Sequence, residues 1–480
     1  MLRRNIARVT SHPRIAHMKH KRIISSALVL GALAASLSCG ERPEDVESVS
    51  VEVTPYFAAA IQAGNWIRST AIDSEAGRAW PADPLDTATV VTNLYTGTPG
   101  VVLFFLELAS HTGDVGYLDD ARAGADYLLA RLVADPSPGE DGAVVDATVQ
   151  SAGLYTGVAG VGFALHQTYR ATGEAKYLAG AERAVAAIHA QAREHDAGVD
   201  WIDSTDIVSG AAGTGLFLLY AAREMGDAAS LELAESAGRL LLTQAEEGEG
   251  GASWRINADY PRVMPNFSHG TAGVAYYMAA LYEATGEVAF LDAATSGARQ
   301  LLALAETEGD ICLVFHHSPD GENLQYLSWC HGPAGTARTF YKLYELTGDP
   351  EWMDWVRRSA NGVYQSGVPE QLTEGFWNNV GQCCGSAGVA EFSLAMHRLT
   401  ADREHLGFAQ RVADDLLARA TVSPEGLMWV QAENRVQPDF LVAQTGYMQG
   451  AAGIGILLLH MDAAVRGEPH QGIVFPDAPY

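Results

Sequence analysis

The sequence predicts an all-α fold, a closed α/α toroid of seven inner helices ringed by seven outer ones. Three observations predict it. A Gly-x-x-Gly turn recurs seven times, at Gly97/Gly100, Gly157/Gly160, Gly210/Gly213, Gly270/Gly273, Gly332/Gly335, Gly385/Gly388 and Gly450/Gly453, with copies 53 to 65 residues apart. Thirteen residues past the second glycine come Gly113, Gly173, Gly226, Gly286 and Gly348; Ala401 takes that place in the sixth copy, and Gly467 arrives one residue late in the seventh. Between those marks the chain is apolar nearly all round, and after them it is apolar along one stripe only.

Each element follows from these marks. A helix of thirteen residues is about 20 Å long, and a glycine just past its end is the common left-handed cap, so the interval is a helix length. Stretches such as Val101 to Ala109 and Ile454 to Met461 are apolar on every face and are expected as buried inner helices. Stretches such as Tyr117 to Leu129 repeat apolar residues at i, i+3, i+4 and i+7, as outer helices do, and acidic residues in their first turn suit the helix dipole. An amphipathic segment from Tyr56 to Ala71 precedes the first turn and is expected as the outer partner of the first inner helix. The Gly-x-x-Gly loops then gather at one end of the barrel. Most of their glycines read as turn and close-packing residues, so chemistry is expected from the residues beside them.

Residues 1–39 read as an export signal of lipoprotein type, residues 40–54 as an acidic tether and residues 55–480 as the toroid domain. Lys19 to Arg22 are basic, and Ile23 to Leu37 form an apolar core too short to span a bilayer comfortably. Ser36-Leu37-Ser38-Cys39-Gly40 resembles a bacterial lipobox with Cys39 as the lipidated residue, although Ser36 stands where a large aliphatic residue is usual. The alternatives are an envelope lipoprotein and a secreted protein, with membrane association only through a lipid on Cys39. Aspartate and glutamate number 58 against 31 lysines and arginines. Such a surface repels phosphate backbones, and nucleic acid is excluded as a partner.

Chemistry concentrates in two adjacent loops. The fifth reads Ser328-Trp-Cys-His-Gly and the sixth Gly381-Gln-Cys-Cys-Gly, which brings Cys330, Cys383 and Cys384 to neighbouring places on the ring. Zinc takes Cys thiolate or His nitrogen, and a catalytic site keeps three protein ligands and one open position. Cys330, Cys383 and Cys384, or two of them with His331, meet that count. Disulfides are the competing reading for an exported chain, although the neighbours Cys383 and Cys384 are poorly placed to pair.

The seven turns, the Trp329-Cys330-His331-Gly332 turn, the later cysteine turn and the ending Gly446-Tyr-Met-Gln-Gly-Ala-Ala-Gly together resemble the LanC and LanC-like family over nearly the whole mature chain. The resemblance implies an α/α toroid, a zinc ion held by Cys330 and Cys383, and thiol addition to dehydroalanine or dehydrobutyrine. Cys384 stands where that family usually has His, which implies a three-cysteine ligand set. By the same resemblance Asp206, four residues before Gly210, faces the active site, and His269, directly before Gly270, is a candidate acid/base. His331 is a second acid/base candidate, or satisfies its loop by hydrogen bonding. The family's bacteriocin cyclases have an arginine four residues before the first zinc cysteine, and Tyr326 occupies that place here.

The function expected is zinc-dependent thioether formation on a thiol-containing peptide or small thiol. No dehydratase domain accompanies the toroid, so the acceptor has to be made elsewhere. Two alternatives stand beside it: a non-catalytic envelope lipoprotein that binds a thiol or peptide, and a carbohydrate-active toroid using paired carboxylates. Metal content separates the latter from the others.

Overall fold

The structure is a computed structural model that describes residues 53–132, 151–469 and 472–480. The export signal, Cys39 and the tether up to residue 52 lie outside the described residues. In chain order, α1 (Pro55–Ser69) precedes six inner–outer pairs: α2 (Thr98–Thr112) with α3 (Val115–Arg131), α4 (Val158–Thr172) with α5 (Ala175–Gln191), α6 (Ala211–Tyr220) with α7 (Ala228–Thr243), α8 (Thr271–Thr285) with α9 (Val288–Leu304), α10 (Pro333–Thr347) with α11 (Pro350–Gln365), and α12 (Ser386–Thr400) with α13 (Arg403–Arg419). A last inner helix, α14 (Ala451–Arg466), completes the set. The even-numbered helices contact one another in sequence, and α14 returns to α2, so the inner ring is closed.

One expected partner is different. Helix α1 packs chiefly on α14, the last inner helix, and only lightly on α2, whose outer partner is α3. The physical reason is closure: among the described residues no outer helix follows α14, and α1 covers the apolar face that would otherwise meet water. Ala60, Ala63 and Ile67 of α1 are fully buried in that contact layer.

The glycine marks have separate jobs. The first glycine of each turn is the helix N-cap, and the second lies in the first turn of the helix, where there is no room for a side chain. A Cβ on Gly335 would stand 1.9 Å from the Trp329 carbonyl oxygen. The closing glycines adopt left-handed backbone, as at Gly113 with φ 70°, and Ala401 is forced into the same conformation at φ 58°. A left-handed L-residue costs about 1–2 kcal/mol. Ala401→Gly is therefore expected to stabilise the fold by about 1 kcal/mol after the extra chain entropy of glycine is subtracted, read as a higher denaturant midpoint at unchanged slope.

Short hairpins follow four of the outer-layer helices, an element the helical periodicity does not announce. The pairs are β1 (Ile72–Ser74) with β2 (Gly77–Ala79), β3 (Arg193–His195) with β4 (Gly198–Asp200), β5 (Glu246–Glu247) with β6 (Ala252–Ser253), and β7 (Thr421–Ser423) with β8 (Gly426–Met428). A tryptophan follows each. The indoles of Trp201, Trp254 and Trp429 donate to the carbonyls of Ile188, Leu241 and Leu416, each at 2.8 Å and each near the end of the preceding outer helix. The hairpin turns the chain back, and the indole satisfies a helix-end carbonyl while filling the layer between helices. A fifth pair, β9 (Val430–Ala432) with β10 (Leu441–Ala443), brackets an excursion over the loop end of the barrel.

The loops are tied to one another by backbone. Tyr95 N–H donates to Tyr155 (2.9 Å), Tyr155 to Val208 (2.9 Å), Ile207 to Ser268 (3.2 Å), Ser268 to Cys330 (2.9 Å), Cys330 to Cys383 (3.0 Å), Cys383 to Met448 (3.0 Å), and Met448 back to Tyr95 (2.8 Å). This circle runs through all seven loops and sets their spacing. Residues 472–480 lie inside the ring: Phe475 meets Phe163 of α4, Tyr480 meets Tyr341 of α10, and Ile473 N–H donates to Glu107 of α2.

Candidate metal centre

In that circle Cys330 and Cys383 hold equivalent slots, two residues before the first glycine of their loops, and Cys384, His331 and His269 occupy the next slot of theirs. The repeat thus converts a sequence offset into a shared location. Cys330 Sγ lies 3.2 Å from Cys384 Sγ, which lies 3.4 Å from Cys383 Sγ, and the three sulfurs fall within 4.8 Å of one another. These separations are far longer than the roughly 2.05 Å of a disulfide, and the four described cysteines, Cys312 included, are free thiols. Cys330 and Cys383 are buried and Cys384 is partly exposed.

The electrostatics fit a divalent cation. Burial raises the pKa of the Cys383 thiol, but hydrogen bonds from Cys330, Cys384 and Tyr95, with the positive charge of His269, outweigh it and hold that pKa well below the usual thiol range. Burial and the neighbouring sulfurs push Cys330 up. Three sulfurs this close cannot all ionise in a buried place without a counter-charge. A tetrahedral zinc thiolate has sulfurs about 3.8 Å apart at its bond length of about 2.3 Å, so a small widening of the trio accommodates the ion.

Asp206 and His269, named separately by the sequence, form a pair. His269 Nδ1 lies 2.6 Å from Asp206 Oδ2. The other carboxylate oxygen accepts from the N–H groups of Ser209 and Gly210, each at 2.8 Å. Burial raises the Asp206 pKa, and the His269 bond and charge with the two backbone donors bring it below the ordinary value. A carboxylate can only accept, so Nδ1 of His269 carries hydrogen and Nε2 is left for the cavity. Burial opposes protonation of His269, but the Asp206 bond and charge, then Cys383, raise its pKa above the usual imidazole value.

His331 is a different kind of residue. Its ring is buried, Nε2 lies 3.4 Å from Ser268 Oγ, and Nδ1 has no hydrogen-bond partner. Burial and the imidazoles of His316, His269 and His317 hold it well below the usual pKa. Its unpartnered Nδ1 keeps it beside His269 as a second acid/base candidate of lower basicity.

An open cavity of about 260 Å³ joins the thiols to His269, with Asp206 buried behind the imidazole, and to residues the repeat does not reveal. His316 stacks on His331 at 4.1 Å and meets Tyr326 edge-on at 4.4 Å; burial, with His317 and Arg435, drives its pKa down to about 3. It belongs to the stretch between α9 and the fifth loop, and the adjacent His316-His317 was its available signal. Tyr326, in the place of the family's arginine, is buried against Trp377. Cations reach the cavity from elsewhere, Arg262 from the approach to the fourth loop and Arg435 from the β9–β10 excursion. Arg435 lies against Tyr326 and pairs with the exposed Glu374 at 2.8 Å.

The closed helical ring defines an α/α toroid that gathers three cysteines and a His–Asp pair at its loop end. The family model for lanthionine synthetase C-like protein matches residues 89–468, and the chain belongs to that family. Among solved structures, the chain is similar to nisin cyclase, with a TM-score of 0.57 and 15% identity over 84% of this chain and 92% of that one. It is also similar to the GH76A α-1,6-mannanase of Salegentibacter sp. HEL1_6 (TM-score 0.44, 15% identity, covering 85% and 99%) and to cellobiose 2-epimerase from Bacillus thermoamylovorans B4167 (TM-score 0.45, 12% identity, covering 66% and 88%).

Proposed function

We propose that this protein adds a thiol to a dehydroamino acid, forming a thioether, with a zinc ion held by Cys330, Cys383 and Cys384. The observation that carries the reading is the convergence of three free thiols and His269, itself held from behind by Asp206, on one cavity. Zinc bound there supplies one thing, a substrate thiol that loses its proton near neutral pH. The sulfur lone pair then forms the bond to Cβ of the acceptor. The Cα=Cβ electron pair moves into the enolate, and His269 delivers a proton to Cα. Asp206 keeps the His269 tautomer that presents Nε2. The guanidinium groups of Arg262 and Arg435 give the mouth the positive potential that an enolate or a substrate carboxylate needs, although the residue at 326 is tyrosine.

The carbohydrate reading has less support at this cavity. Among the described residues, Glu433 is the one carboxylate lining this cavity, and Asp206 is committed to His269 and two backbone donors. The deciding experiment incubates zinc-loaded protein with a dehydroalanine peptide and a peptide or small-molecule thiol and follows the mass of the adduct. Adduct formation above the uncatalysed rate supports the proposal. Tight thiol binding without addition across many acceptors would transfer it to a binding protein.

The same proposal places the protein outside the cytoplasm, on the strength of the basic and apolar run before Cys39. The full chain expressed in a bacterium is expected to partition into detergent, and Cys39→Ser to abolish that partitioning. Equal soluble secretion of both forms would leave an export signal without a lipid.

A further inference from the structure

The segment inside the ring of inner helices is held by two buried polar anchors. At the first, Ile473 N–H donates to Glu107 at 2.7 Å, and Glu107 is charge-balanced by His460 at 3.0 Å, which Glu391 also binds at 2.9 Å. At the second, Asp477, wholly buried, lies directly behind the thiol loops. Its carboxylate accepts from the Tyr155 hydroxyl, the Trp329 indole N–H and the Arg338 guanidinium, each at 3.0 Å, and its carbonyl accepts a further Arg338 bond at 2.8 Å. Those three donors come from the second loop, the fifth loop and α10. Phe475 adds an apolar wedge, stacked on Tyr447 at 4.7 Å.

Trp329 is the residue before Cys330. Its indole is clamped below by Asp477 and packed edge-on against Tyr155 at 5.0 Å and Phe267 at 5.7 Å. The peptide that joins it to Cys330 carries the N–H given to the Cys383 carbonyl. With the indole clamped and packed on both sides, its torsions have little freedom, so it restrains that peptide and, through it, the spacing of the sulfurs. We propose that Asp477 is a positioning residue for the thiol centre, fixing the Trp329 indole from inside the ring so that the Trp329–Cys330 peptide sets the place of the Cys330 sulfur. This rests on the metal-centre reading above.

The groups that support metal ligands from behind change metal affinity by about 10- to 100-fold when removed, and Asp477 acts one residue further back, so the lower end applies. The test is cobalt(II) titration of the full-length protein and its variants, reading affinity and the thiolate-to-cobalt charge-transfer band. Asp477→Ala and Trp329→Phe, which both break the indole bond, are expected to weaken cobalt about tenfold and to alter the band. The double variant is expected to bind no worse than either single one, because both act through one contact. Asp477→Asn keeps an acceptor for the indole and is expected to restore the band and affinity, even though Arg338 loses its counter-charge and thermal stability falls. Leu165→Ala, a core change in α4 away from the loops, is expected to lower stability without touching cobalt binding. Wild-type affinity and band in folded Asp477→Ala would overturn the proposal, and should that variant fail to fold, the same result in Trp329→Phe would do so. A wild-type protein that binds no cobalt would overturn the metal centre and this inference together, whereas unchanged variants of a cobalt-binding protein overturn this inference alone.

Discussion

Replacing Cys330 by serine is expected to take zinc from about one ion per chain to a small fraction of that, and thioether formation to background. Cys330 is buried in the circle of loop hydrogen bonds and faces Cys384 at 3.2 Å. A serine hydroxyl in its place holds its proton at neutral pH and is a poor partner for zinc, which leaves two thiolates where a stable site wants at least three protein ligands. Cys383→Ser is expected to behave alike, since it holds the equivalent slot in the next loop. Cys384→His should keep the metal, because imidazole is an equally good ligand and restores the family's usual set. Native mass spectrometry of protein purified without reductant reads all of these. Wild-type protein that arrives metal-free with Cys330 or Cys383 fully disulfide-bonded would reject the centre.

His269→Ala is expected to keep zinc and thiol binding while slowing thioether formation by roughly 10²- to 10⁴-fold, the usual scale of general acid–base catalysis. Its imidazole lines the cavity but is not among the three sulfurs of the centre, so metal content and proton delivery are separable. Asp206→Asn gives the matching pH test. Asp206 raises the His269 pKa, and an acid that must be protonated loses activity as pH rises through its pKa. Removing the carboxylate charge lowers that pKa, so the falling limb of the rate profile should move to lower pH. A full rate in His269→Ala would make His269 structural, and an unmoved limb in Asp206→Asn would break the link between the pair and the proton.

The toroid was legible because its rule is periodic. A recurring turn, a fixed interval and a switch from all-round to one-sided apolarity are local patterns, and each survives in the structure as an N-cap glycine, a helix length and an inner or outer layer. The cysteines and His269 were legible because they occupy repeat slots. His316, Arg262 and Arg435 were not, since they come from excursions between the repeats, whose path is set by packing across the loop end and has no period to read. The partner of α1 was misjudged for a related reason: order along the chain favours α2, whereas closing the ring leaves α14 as the helix in need of cover.

By itself, then, the sequence determined the inner and outer helices of the described toroid and the end of the barrel where the cysteines and His269 gather, because helix period and glycine backbone freedom are properties of a few consecutive residues. The tertiary structure alone decided that Asp206 bonds His269 and that His331 is buried among other imidazoles. It also decided that Tyr326 has Arg435 beside it and that Asp477 stands behind Trp329. These pairs lie 63, 109 and 148 residues apart in sequence. Their strength depends on distance and on the exclusion of water, and both quantities come into being only when the ring closes.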